Sequence, residues 1–138
     1  MASIDVQPVA VGRRTAVLFA AAVLAAGLNY LVARGAVALG ADAAFAPLTP
    51  QVFGPLTLIG TAAGYAGWTT VVRRSARPVA VLRVLVPVVL LLSMLPDLLL
   101  MATKFIPSTS ATGVAGLMLM HVVVTAVAVP AYQFTRRV

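Results

Sequence analysis

Four apolar runs, each long enough to cross a lipid bilayer, fill most of this chain of 138 residues. They cover residues 15–33, 52–72, 79–102 and 112–134, with almost no charge in any of them. At 1.5 Å rise per residue, about 20 helical residues cross a hydrocarbon core ~30 Å thick. Helices of a soluble bundle carry a polar stripe at the helical period; these runs are apolar all round. Charged residues make up 9% of the chain, against roughly 25% in a soluble domain, too few to coat four such helices in water. The expected fold is all-α: a single-domain integral membrane four-helix bundle over residues 1–138. Its helices are expected at about 15–38, 52–72, 79–102 and 112–134, after a mobile polar tail at 1–12.

The cationic side chains are unevenly placed. Arg13 and Arg14 precede the first run, Arg73, Arg74 and Arg77 separate the second from the third, and Arg136 and Arg137 follow the fourth. Arg83, one turn inside the third run, can snorkel to the same side. Only Arg34 and Lys104 fall on the other side, a ratio of eight to two. Because basic loops stay cytoplasmic, both termini are expected in the cytoplasm of a multi-pass cell-membrane protein. The +7 charge then reflects retention beside anionic lipid. The arginines form short pairs rather than a stripe, so no nucleic-acid partner is expected. The first run is longer than a secretory signal core and reads as a retained helix. Cysteine is absent, which excludes thiol redox chemistry, thiolate metal sites and disulfides within the chain.

Aromatic residues fall near run ends, Tyr65, Trp68 and Tyr132 toward the basic side and Phe45, Phe53 and Phe105 toward the other, as expected of interfacial belts. On the second run Gly60, Gly64 and Gly67 share one helical face, and a small-xxx-small spacing admits close backbone approach. That face is expected to receive a neighbouring helix, with a homodimer seam as the alternative. The third run holds Pro87 and Pro96, each of which removes a backbone donor and displaces the carbonyl four residues earlier.

Asp97 follows Pro96 directly, and a carboxyl group inside a span is costly unless it faces the bundle interior. His121, the only histidine, has Thr125 one turn away on its face. Ser93 shares the face of Asp97 one turn earlier, and Asn29 and Tyr30 of the first run and Thr57 and Thr61 of the second come to similar depth. These groups are expected to form one polar layer, with Asp97 and His121 on adjacent helices. The layer either fixes helix register through hydrogen bonds or forms a ligand or proton site. One Asp and one His are too few for a metal centre; no metal and no cofactor is expected, and no phosphate loop, metalloprotease pair or nucleophile elbow occurs.

The segments LLLSMLPDL at 90–98, after an arginine-rich turn with Pro78, and LMLMHVVVTAVAVP at 117–130 resemble a family of uncharacterised four-helix membrane proteins common in high-GC bacteria. The likeness is strongest over about residues 50–134 and implies four helices and a characteristic His121, with no activity attached. Small multidrug exporters also have four short helices, but they rely on a membrane glutamate, and this chain has no glutamate. The leading functional class is non-enzymatic: a partner subunit of another membrane protein, or a binder of a lipophilic small molecule. A carrier coupled to protons through Asp97 and His121 is the second class. A membrane enzyme using Asp97 as acid on an apolar substrate is the third.

Overall fold

The computed structural model describes residues 11–135, all helix and connecting turns. Residues 1–10 of the expected tail, and Arg136 and Arg137, lie outside the described residues. Four rods form the bundle: α1 (Val11–Ala38), α2 (Pro50–Arg74), a bent third rod of α3 (Pro78–Ser93) and α4 (Leu95–Thr103), and α5 (Ala111–Thr135). The rods containing α1, α3–α4 and α5 are long and apolar enough to cross a membrane. α2 is of similar length but is diluted by four glycines and four threonines, and is not among them.

The helix ends follow from local chemistry. Pro50 and Pro78 sit in the first turns of α2 and α3, where a missing N–H is harmless. α1 stops at Gly40, whose φ of 102° suits only glycine without strain. The Gly40 N–H bonds to the Val37 carbonyl and that of Ala41 to Ala36, at 3.0 and 2.9 Å, a Schellman closure. The break at Met94 is the work of Pro96, which cannot donate to the Leu92 carbonyl and crowds it. Met94 instead bonds back to Leu91 at 3.2 Å, and the helix restarts at Leu95. Pro87, by contrast, is carried inside α3 without a break.

The most extensive pairing is between α1 and α5, which run antiparallel. Their seam is made of small residues. Ala22, Ala25, Asn29, Ala33 and Ala36 are buried along one face of α1, and Gly113 and Gly116 along α5. A Cβ added at Gly116 would lie 3.0 Å from that of Ala36, so the two backbones are about as close as they can come. At the end that carries Arg13 and Arg73 (the basic end), the Arg13 guanidinium stands 5.3 Å from the Phe134 ring centre.

The opposite, loop end is closed by residues 39–49, which fold back over the bundle. Ala41, Phe45 and Leu48 join Phe53, Leu117 and Met120 in one apolar cluster, and Phe45 covers Gly113. Asp42 stiffens this loop by accepting the Ala44 N–H at 2.8 Å. The Ser108 hydroxyl, and then this N–H, hold its carboxyl below the ordinary carboxylate range. At the basic end Trp68, Leu82, Ala128 and Tyr132 form a second cluster.

These clusters correct the expected aromatic belts. Phe45, Phe53, Trp68 and Tyr132 are all interior, and of the outer-side phenylalanines only Phe105 is well exposed. Facing positions occupied by glycine and alanine leave ring-sized gaps, and the large rings fill them. The outer surface is instead aliphatic, with Leu24, Leu31, Ile59, Leu91 and Leu99 each more than half exposed. α3 is the least embedded helix, with only Leu82 buried.

If the α1–α5 seam is the principal packing contact, Gly116→Leu should lower bundle stability by at least the 1–3 kcal/mol typical of overpacking. Leu58→Ala, on the exposed face of α2, should change it far less. Thermal unfolding in one mild detergent compares the two. Equal melting temperatures would place Gly116 outside the seam.

Candidate functional site

Between α2, α3 and α5 the bundle does not close. A cavity of about 680 Å³ runs from the loop end toward the basic end, within the range of small-molecule sites. Its α2 wall is the glycine face, its α3 wall includes Leu82, Leu85, Val86 and Val89, and its α5 wall includes Val124 and Ala128.

The glycine face does not receive a neighbouring backbone. A Cβ at Gly60 or Gly67 would meet no atom within 4 Å, and only Gly64 has a close neighbour, the Tyr132 hydroxyl, which a Cβ would approach to 2.6 Å. The expected interhelical contact is therefore missing at two of the three glycines, whose lack of side chains makes room for the cavity. At its basic end the hydroxyl of Tyr132 donates to the Thr61 carbonyl at 2.5 Å. The ring lies 5.7 Å from that of Tyr65 and 5.8 Å from that of Trp68. Trp68 lines the cavity, and its buried Nε1 has no hydrogen-bond partner.

The polar residues gather in its middle, with Pro47, Val52, Phe53 and Leu117 lining it on their loop side. Asn29, Thr57, Ser93, Asp97, His121 and Thr125 all line the cavity. At 1.5 Å per residue, Thr57, Asp97, Asn29 and His121 lie roughly 9–15 Å from the loop ends of their helices. Four rods thus contribute to one polar region. His121 Nδ1 lies 3.4 Å from Asp97 Oδ2 and 2.9 Å from the Leu117 carbonyl. The shorter contact is the hydrogen bond, and the longer one is too extended to be a strong one. Asn29, almost wholly buried, donates from Nδ2 to Thr57 Oγ1 at 3.0 Å. Thr57 in turn donates to the Phe53 carbonyl at 2.8 Å. Ser93 donates to Leu90 and Thr125 to His121, both backbone carbonyls one turn back.

Tyr30 stands apart from this group. It is 48% exposed and does not line the cavity. Consecutive residues on a helix point about 100° apart, so with Asn29 turned inward Tyr30 must face out. Thr61 is buried, but its hydroxyl is engaged by the Thr57 carbonyl. Trp68 and Tyr132 were not foreseen as part of a site. The signal available for them was the glycine face itself, since Trp68 follows Gly67 directly and Gly64 needs something to fill the space beside it. Among the described residues no group of three or more His, Asp or Glu side chains converges as a metal site.

A cavity with apolar walls, one polar region and buried polar atoms without partners among its lining residues is suited to holding an amphipathic molecule. Such atoms call for partners, because an unpaired buried donor or acceptor costs about 1–3 kcal/mol. Compared with known proteins, residues 7–138 match the model of a family of unknown function, DUF6069. No curated protein and no solved structure matches the chain.

The contact between Gly64 and Tyr132 predicts a coupling. Gly64→Ala should push the Tyr132 hydroxyl off the Thr61 carbonyl and destabilise the bundle by about 1 kcal/mol or more, and Tyr132→Phe alone should lose a similar amount. In the Tyr132→Phe background the nearest remaining ring atoms stand at 3.4 Å, so Gly64→Ala should add little further loss. A double-mutant cycle by denaturant titration measures this. Additive losses would contradict the geometry.

Proposed function

The chain belongs to this family of unknown function, DUF6069, and we propose that this member is a multi-pass protein of the cell membrane that binds an elongated lipophilic small molecule between α2, α3 and α5. The cavity carries the reading, because its walls are apolar along the bundle and its polar groups are confined to one region. The aliphatic outer surface supports placement in lipid, where exposed leucine and isoleucine carry no penalty. α2 crosses with its neighbours: it is 25 residues long, and its buried threonines, Thr57 and Thr61, have hydroxyls bonded to the preceding turn. The eight-to-two distribution of cations supports cytoplasmic termini.

The direction of the glycine face favours a binder over a homodimer seam on α2, since Gly60 and Gly67 border the cavity. Proton-coupled carriage is the second reading, favoured by the 3.4 Å approach of Asp97 to His121. A flux of the bound molecule that vanishes in Asp97→Asn would favour it over simple binding.

Two experiments test these readings. Non-denaturing mass spectrometry of protein released from mild detergent should show the chain carrying a small apolar molecule. Gly60→Leu, which fills open space, should keep the melting temperature and lose that molecule; equal retention by both proteins would contradict the cavity as its seat. For topology, single cysteines at Ser75 and Ser108 in intact cells should react with an impermeant thiol reagent only at Ser108. Labelling at Ser75 alone would reverse the orientation.

A further inference from the structure

Resting on that reading, we propose that the molecule held in the cavity is a long-chain amine. Its ammonium head sits among Asn29, Asp97 and His121, and its apolar chain runs toward Trp68. The argument is a balance of donors and acceptors. The Thr57 hydroxyl gives its one hydrogen to the Phe53 carbonyl, so toward Asn29 it can only accept. This fixes the amide with Nδ2 on Thr57 and leaves Asn29 Oδ1 buried without a partner. The Leu117 carbonyl also only accepts, so the Nδ1 it contacts carries a hydrogen, and in the neutral ring Nε2 is then an acceptor. Asp97 Oδ2 is buried and makes no hydrogen bond. The hydroxyl hydrogens of Ser93 and Thr125 are already engaged by backbone carbonyls.

The side chains of Asn29, Asp97 and His121 line this part of the cavity, and they hold two buried acceptors without partners, Asn29 Oδ1 and Asp97 Oδ2, against one unengaged donor, the second Nδ2 hydrogen of Asn29. A carboxylate or phosphate head would bring further lone pairs against the two acceptors. An alcohol supplies a single hydrogen, whereas a primary ammonium supplies three, with a charge that a carboxyl group in low dielectric receives best. A phospholipid does not meet the same need. Its acyl chains fit the apolar walls, but its head stays at the interface, roughly 9–15 Å from these acceptors along the helix axes. From Thr57 the α2 wall continues for about 16 Å to Trp68, which sets the run of the chain.

Trp68 is the chain's single tryptophan and lines the basic end of the cavity, so it reports directly on occupancy. Protein in nanodiscs of zwitterionic lipid is titrated with an amine, an alcohol and a fatty acid of one long chain length, each brominated at the far carbon. The amine should quench Trp68 saturably, with a half-saturation about tenfold or more below those of the alcohol and the acid. Asp97→Asn should remove the amine's advantage and leave the alcohol within about twofold of its original value. Gly60→Leu should abolish saturable quenching by all three. Alcohol or acid binding as tightly as the amine would overturn the amine assignment and leave the binder reading standing. No saturable quenching by any probe would overturn both. Should Asp97→Asn fail to fold, the ranking on the unaltered protein decides.

Discussion

The approach of α1 to α5 across Ala36 and Gly116 governs where every other element can sit. Backbones that come this close need alanine and glycine along the whole seam, and α1 supplies them at Ala22, Ala25, Ala33 and Ala36. With α5 committed to α1, it meets α3 far less extensively, and α3 is left with a single buried residue. α2 touches α1 through Asn29 and Thr57 and α5 through Thr61 and Tyr132, but holds α3 off along its glycine face. The cavity follows from this arrangement: one pair of helices is packed as tightly as sterics permit, and the third rod lies against what remains.

That geometry separates two tasks. The seam and the aromatic clusters at both ends provide rigidity, and the polar region depends on them for its shape. Asn29 is the hinge between the two, because it is a member of the α1 seam whose amide also reaches across to α2 and whose side chain lines the cavity. Low dielectric makes such groups consequential: a buried acceptor without a partner weighs more against the bundle than the same atom in water, and a ligand that satisfies it gains correspondingly. Apolar walls discriminate weakly between chains of similar length. Selectivity then resides in the polar region, in hydrogen bonds made or left unmade.

Much of the fold was legible in the sequence because apolar runs of this length admit few arrangements. Four apolar runs demand four helices, and Pro96 marks the break in the third rod by a rule that acts within a few residues, although Pro87 offers the same local signal and is carried inside α3. The convergence of Asp97, His121, Asn29 and Thr57 was readable as similar depth, a one-dimensional property, with Ser93 and Thr125 one turn away on the faces of Asp97 and His121. The lateral arrangement was not. The Gly60–Gly64–Gly67 face and the α1 alanine seam carry the same small-residue signature, and only the folded bundle shows that the alanines close on a neighbour while the glycines open onto a cavity. The burial of Phe45, Phe53, Trp68 and Tyr132 escaped for a related reason. Aromatic residues near helix ends satisfy the statistics of an interface equally well whether they face lipid or fill the gap opposite a glycine. Tyr30 shares the depth of Asn29 and differs only in rotation about the helix.

The central claim is that α2, α3 and α5 leave a standing, half-open cavity between them with a polar region on its wall. An experimental density map of the protein in lipid nanodiscs, enlarged by a bound antibody fragment, tests it most directly. The account predicts α2 and α3 held apart at Gly60 and Gly67, with elongated density reaching from Trp68 to within hydrogen-bonding distance of Asn29 Oδ1 and Asp97. A map in which α3 closes onto Gly60 and Gly67 backbone to side chain, leaving no space between them, would contradict it.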